Sequence, residues 1–394
     1  MPIDSHLSYL EKHALVPSLI EVKPKAGLGI VLVVSGSDPR GIQVTLDAIN
    51  SCTRPRVPVE VLVVFHIGEA TTAVDKLGQL AAREVAVEWI KKHTKSAFAY
   101  RILDLPDVAP KDFGEGLTRK LAFDEGMRRL HAAGNPSGLL IWLDAGVMPD
   151  FGYLKELHTY FERNHRTTSC TVGFYTLTEA EELTLRYTMQ GLRTMGHPYA
   201  HYHMASTVVV RGTAYEQSGG MNRRKAGADF HFLHKLTPLG LHDDFPDVRL
   251  LFCFPMPGLK SREMVFAPEA YTVLRRFVQS VFENWQMPAI EVVSLAEDVH
   301  PAIGLWMAVH NVYDRIVDIQ ASARNAASFR RRFFHWFSVL QVQHFMNFTH
   351  PTYFEQVPLI AASAAILGKP ATTGAYDLLT EMRMRDHQPY SNSL

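Results

Sequence analysis

The segment His201–Lys235 (HYHMASTVVVRGTAYEQSGGMNRRKAGADFHFLHK) holds the densest set of residues able to do chemistry. Arg223, Arg224 and Lys225 form a basic cluster, and Asp229 follows four residues after it. Asp229, Phe232, Leu233 and Leu236 fall at i, i+3, i+4 and i+7, which puts the carboxylate on the apolar face of a helix. An acid held inward beside three cations suits proton transfer near an anionic substrate. The helix start and the cations favour its ionised form, whereas a nearby Asp144 opposes it.

Gly114-Glu115-Gly116-Leu117-Thr118-Arg119-Lys120 combines two glycines, a helix start and two cations. Unpaired N–H groups and a partial positive charge at a helix N-terminus can hold a diphosphate, with Arg119 and Lys120 neutralising it. The alternative is a solvated turn with surface cations. Asp144 closes the apolar run Leu139–Leu143 (LLIWL), at the end of a strand where open α/β sheets gather ligands, and Ser35 ends an earlier run in the same way. Hard cations such as Mg²⁺ or Mn²⁺ take oxygen ligands of the Asp144 kind.

His197, His201 and His203 permit a zinc reading, but their spacing fits no regular zinc pattern and Pro198 interrupts a helix between the first two. Acceptor or diphosphate contact by His201 and His203, or plain structural hydrogen bonding, are the competing readings. His242-Asp243-Asp244 is either a further ligand source or a surface loop. In Arg330–Trp336 the aromatic spacing favours a helix buried on one side with its arginines solvated, over a membrane or RNA surface.

These residues need a scaffold. Gly29–Val34 (GIVLVV), running into Ser35-Gly36-Ser37-Asp38-Pro39, has the form of a buried strand and a turn. Ile42, Leu46 and Ile49 keep helical spacing, and Val59–Phe65 returns as a second buried strand, which together imply a right-handed parallel βαβ unit. Thr71–Lys95 reads as helical, Phe98–Leu103 as a third strand and Lys111–Gly116 as a loop. Phe123, Met127 and Leu130 mark a helix face, and Glu179–Arg193 is another helix. After about residue 272 the character is helical, with Phe329, Phe333, Trp336, Phe337 and Leu340 along one face.

A chain of 394 residues with 47% hydrophobic side chains can bury a large core. Its 40 acidic and 40 basic residues cancel, so no net field argues for nucleic acid, and anion recognition must be local. Three scattered cysteines without CxxC spacing fit a reducing, cytoplasmic setting. The longest late apolar run, Leu359–Leu367, is too short for a transmembrane segment.

The segment GGMNRRKAGADFHFLHK resembles a bacterial branch of the family 2 glycosyltransferases, whose corresponding segment is close to GGMNRRKAGEDFYFLHK. Arg119-Lys120-Leu121-Ala122-Phe123-Asp124-Glu125 is similar to the family's ARKxxMDEA element, and Pro198-Tyr199-Ala200 to its PYAxH element. The resemblance implies a GT-A-type, Rossmann-like α/β fold with a mixed, mainly parallel sheet flanked by helices over residues 1–270, and a helical C-terminal region, residues 271–394, packed on it. It also implies transfer of a sugar, with inversion, from a nucleotide-sugar donor to a glycan or lipid-linked hydroxyl acceptor.

On that reading Asp229 is the general base, and Ser35, Arg119, Lys120 and Asp144 bind the donor. Asp144 holds a Mg²⁺ or Mn²⁺ ion weakly, and His201, His203, Arg223, Arg224 and Lys225 contact acceptor or diphosphate. The chain departs from the family at Ala228, where relatives have Glu, and at Gly146, where they have a second metal-binding Asp. It departs again at Phe254–Arg262, where relatives carry PSPRxSxRVPFGTG. A catalytically inactive member that binds a nucleotide, glycan or protein partner is the alternative, and a nucleotidyltransferase lacks its usual glycine- and lysine-rich start.

Overall fold

The computed structural model describes residues 7–67, 71–108, 114–225, 227–254 and 262–388. The chain forms two compact units, Met1–Leu177 with Tyr202–Pro257, and Thr178–His201 with Gly258–Leu394. Half of the expected loop Lys111–Gly116 and most of the Phe254–Arg262 stretch lie outside the described residues.

The first unit runs α1 (Leu7–His13), β1 (Ile30–Ser35), α2 (Pro39–Ser51), β2 (Val59–Phe65), α3 (Ala73–Lys92), β3 (Ala99–Asp104), α4 (Glu115–Ala132), β4 (Leu139–Asp144), β5 (Val147–Pro149), α5 (Tyr153–Arg163) and β6 (Thr167–Tyr175). The chain then contributes α6 (Glu179–Thr194) to the second unit and returns with β7 (Val208–Arg211), α7 (Gly212–Gln217), α8 (Ala228–Leu236) and β8 (Leu241–Phe252). β1 and β2 are runs of apolar residues buried on both faces, as parallel central strands must be. Asp38 caps α2 by accepting from the Arg40 amide, and Pro39 opens the helix where a missing N–H costs nothing.

The strands form one sheet in the order β3-β2-β1-β4-β7-β6-β8-β5. Four neighbouring pairs are parallel and three antiparallel, so the α/β architecture expected from the sequence, a mixed and mainly parallel sheet flanked by helices, is present. From β1 the order steps outward to β2 and β3, then turns back to β4 on the other side. That reversal is a topological switch point, and the register puts Ser35 of β1 opposite Asp144 of β4 at its carboxyl end. Val31 and Val33 of β1 and Leu140 and Trp142 of β4 alternate onto one face, in a common core with Leu117 and Leu121 of α4 and Phe232 and Leu236 of α8.

The N-terminal segment is fastened to α4 by charge. Tyr9 and Tyr215 donate to one oxygen of Asp124 at 2.9 and 2.7 Å, and Lys120 Nζ donates to the other at 2.9 Å. Glu125 accepts from the backbone amides of Leu19 and Ile20 at 3.0 and 3.2 Å, and Arg129 donates to Glu60 and to the Val22 carbonyl. Lys120, Asp124, Glu125 and Arg129 are all buried, so each charge carries its partner with it.

The second unit adds β9 (Met264–Val265), α9 (Pro268–Glu283), α10 (Ala289–Glu297), α11 (Pro301–Val309), α12 (Val312–Ser322), α13 (Ala326–Trp336), α14 (Val339–Thr349), β10 (Val357–Pro358), α15 (Leu359–Leu367) and α16 (Ala375–Asp386). The helical character expected after residue 272 is there, with Phe277 and Phe337 in ring contact with each other and each with Trp306 and Phe333. α13 buries Phe329, Phe333 and Phe334 and leaves Arg330, Arg331 and Arg332 exposed, as the one-sided spacing implied.

His242-Asp243-Asp244 is not a loop but the start of β8. The His242 ring meets the hydroxyls of Ser169 and Thr171 at 2.8 and 2.9 Å, and Asp243 accepts from Thr167 at 2.9 Å. The polar faces of β6 and β8 satisfy one another across the parallel pair, which is why a strand can carry so many charged residues.

Candidate active site

Within the first unit, a cavity of about 250 Å³ is lined by residues that include Glu115, Arg119, Asp144, Gly146, His203 and Asp229. Three local structures aim the charged groups into it. Asp144 is the last residue of β4, two positions after Trp142 and therefore on the same face of the strand. Arg119 lies in the second turn of α4, whose apolar side packs on that face. Asp229 is in the first turn of α8, which starts at Gly227 in the left-handed region (φ +66°), a conformation that favours glycine.

The Arg119 guanidinium is the hub. It donates to Asp229 Oδ1, stands 3.7 Å from Glu115 and 3.9 Å from Asp144, and lies 5.2 Å from the centre of the Trp142 ring. Its side chain is only 7% exposed, so the charge relies on these neighbours rather than on water. Arg119 Nε is buried and has no hydrogen-bond partner.

Asp229 Oδ2 accepts from the Ala205 amide at 3.2 Å, which fixes the second oxygen. Burial pushes the Asp229 carboxyl up; Arg119 pulls it down, and the negative charges of Asp144 and Glu115 push it up again, leaving it at about 6. The sequence reading placed Arg223, Arg224 and Lys225 beside Asp229 and favoured the ionised form. Those three side chains are exposed, the partner is Arg119, and burial outweighs it.

Asp144 accepts from the Trp142 indole at 2.7 Å on one oxygen and from the Ser206 hydroxyl at 2.8 Å on the other. Ser206 in turn accepts the Asp144 amide at 3.0 Å, and it is fully buried. Both supports escaped the sequence reading. The i, i+2 spacing of Trp142 and Asp144 on a strand was the available signal for one; Ser206, 62 residues away, had none.

Gly146 occupies the position of the missing second acid. Its φ of +91° lies in the left-handed region, and a Cβ there would meet Phe254 Cδ2 at 2.3 Å. Its amide donates to the Gly41 carbonyl at 3.0 Å and to Thr45 Oγ1 at 2.9 Å. Ala228, in place of the missing Glu, is buried in the core with Phe232. Asp150, a conceivable substitute ligand, accepts from the Arg249 amide at 2.8 Å and is not among the cavity's lining.

Arg119, Asp144, Asp229 and His203 are thus brought together on one cavity, and of the other candidates in the first unit Ser35, Lys120, Arg223, Arg224 and Lys225 are not in its lining. Lys120, expected beside the diphosphate, is buried against Tyr9 and Asp124, because consecutive residues on a helix point about 100° apart. Ser35 ends the strand next to Asp144 but does not line the cavity. His201 is a buried member of the second unit. His197 offers no free face to zinc: Nε2 donates to the Phe337 carbonyl at 3.0 Å, and Nδ1 accepts from the Tyr199 amide at 3.2 Å.

No protein-family model matches this chain, and no match is found among curated proteins. Among solved structures, the chain is similar to the mannosyltransferase PcManGT from Pyrobaculum calidifontis in complex with GDP-Man and Mn²⁺, with 14% identity over 98% of this chain and 89% of that one, and a TM-score of 0.47. It is also similar to S. aureus TarS 1–349 in complex with UDP, with 13% identity over 91% of this chain and 88% of that one, and a TM-score of 0.42.

Proposed function

We propose that the chain is a GT-A-type inverting glycosyltransferase that moves a sugar from a nucleotide-sugar to a hydroxyl acceptor. The observation that carries this reading is the convergence of Arg119, Asp144 and Asp229 on one cavity next to a topological switch point of the sheet. The residues at GGMNRRKAGADFHFLHK and Arg119–Glu125 that resemble family 2 glycosyltransferases supply the roles.

In the reaction, Asp229 takes the proton of the acceptor hydroxyl as its oxygen attacks the anomeric carbon. The new glycosidic bond forms on the face opposite the departing group. The bond from carbon to the diphosphate oxygen breaks with its electron pair, and Arg119, buried and without a competing solvent shell, offsets the charge that develops there. Trp142 and Ser206 hold Asp144 in place for donor binding.

The residues present fit a weakly held Mg²⁺ or Mn²⁺: Asp144 is 42% exposed and stands at the carboxyl end of β4, and the donor's phosphates and water would complete the shell. Such an ion supplies further neutralisation of the leaving diphosphate when bound.

Calorimetry with UDP and GDP, with and without Mn²⁺, tests the donor site; no binding by either to folded protein overturns it. Single-turnover transfer by Asp229→Asn, with nucleotide binding retained, then separates an enzyme from a binding module.

A further inference from the structure

We infer that the acceptor is a saccharide bearing a carboxylate or phosphate, read by the loop that leads into α8; this deepens the glycosyltransferase reading above and rests on it. The loop presents Arg223, Arg224 and Lys225 in succession, all exposed, and none forms an ion pair among the described residues. Surface cations are common, but the backbone here is hydrogen-bonded at Asn222 and Arg224. Asn222 Oδ1 accepts from the Arg224 amide at 2.9 Å, Asn222 Nδ2 donates to the Ala228 carbonyl at 2.8 Å, and the Gly116 amide donates to the Arg224 carbonyl at 3.1 Å.

The fit against α4 is close enough to exclude side chains. A Cβ on Gly116 would stand 2.5 Å from the Arg224 carbonyl oxygen and 2.7 Å from that of Asn222, and one on Gly114 would stand 2.9 Å from Lys225 Cα. The same two glycines were read, with the helix start, Arg119 and Lys120, as an element that could hold a diphosphate. Instead, they seat the basic loop at the start of the helix that carries Arg119.

Beyond the loop, α8 carries Phe230 next to Asp229, and the Phe230 ring lies 5.0 Å from that of His203, a cavity-lining residue. Burial depresses the His231 imidazole, and the charge of Arg224 adds to that in the same direction. The loop is seated against Gly116, next to the cavity-lining Glu115, while the Phe230–His203 pair stands at the same cavity: an aromatic surface suited to the apolar face of a sugar ring, and exposed cations at the start of α4 suited to an anionic substituent on it. The Arg119 charge is already shared among Asp229, Glu115 and Asp144, which leaves the loop as the cationic element facing outward.

The test uses the whole chain and the variant Arg223→Gln/Arg224→Gln/Lys225→Gln. Methyl β-glucuronide, glucose 6-phosphate and methyl β-glucoside are titrated by NMR in the presence of saturating UDP or GDP. The anionic probes should bind about 10-fold more tightly than the glucoside, the value of one added charge-assisted contact. The variant should lose that preference while keeping its melting temperature and its nucleoside diphosphate affinity. The two anionic arms tell carboxylate from phosphate selectivity. Equal binding of the three probes by the wild type, including none by any, overturns the proposal, as does a preference that survives in the variant or a loss of nucleotide binding in it. Failure of UDP and GDP to bind the wild type is a separate result and removes the glycosyltransferase reading itself.

Discussion

Arg119 and Asp229, 110 residues apart in the chain, are joined by an ion pair in the cavity, with Asp144 3.9 Å from the same guanidinium. The group proposed to stabilise the leaving diphosphate is therefore in contact with the group proposed to take the acceptor proton.

Asp229→Asn should retain nucleotide binding and reduce single-turnover sugar transfer by at least ~100-fold, the lower end of general-base contributions. Isothermal calorimetry and a radiolabelled-donor assay measure the two halves. An active Asn variant removes Asp229 from the mechanism.

The pH dependence of kcat/KM follows from the Asp229 carboxyl at about 6. The rate should rise with pH through that value, as the base loses its proton, and level off above it. Stability runs the other way. An acid whose folded pKa lies above its unfolded value binds an extra proton in the folded state between the two, so its contribution is present at low pH and lost as pH rises from about 4 through about 6. Urea unfolding at pH 4.5 and 7.5 should show wild type losing stability relative to Asp229→Asn across that interval, on the order of 2 kcal/mol.

Lys120→Met should unfold more readily while leaving the affinity of the folded protein for UDP or GDP unchanged. Removing one partner of a buried ion pair costs about 3–5 kcal/mol, because Asp124 is left charged and under-compensated. Weakened nucleotide binding in a sample shown to be folded would restore Lys120 to the donor site.

Gly146→Asp, which supplies the acid found in the family 2 glycosyltransferase pattern that the sequence resembles, should not build a better metal site. The φ of +91° and the 2.3 Å approach to Phe254 make any side chain there strained, costing about 1–3 kcal/mol. A drop in melting temperature without tighter Mn²⁺ binding is expected; tighter Mn²⁺ binding at unchanged stability contradicts it.

Much of the scaffold was legible because its signals are local. β1, β2 and β4 are apolar runs, and α8 announces itself by the i, i+3, i+4, i+7 pattern from Asp229. β8 hid behind Pro246 and four acidic or basic residues, and its bulged register with β6 breaks strict alternation. Arg119 and Asp144 were readable as candidates, but that Arg119 would pair with Asp229 depends on α4 and α8 sharing one face of the sheet. That is a property of topology, not of spacing. The neighbouring Lys120 looked equivalent in sequence and was separated from Arg119 only by the pitch of the helix.

The charged fastening of residues 9–22 onto α4 also bears on how the chain is made. Tyr9 completes its network with Asp124 and with Tyr215, more than two hundred residues downstream, so these turns cannot reach their final partners until most of the first unit has been synthesised. At about 5–20 residues per second that wait lasts on the order of ten seconds or more. During it the apolar face later shared by α4 and α8 is incomplete, which makes this interval the one in which a chaperone would have most to hold.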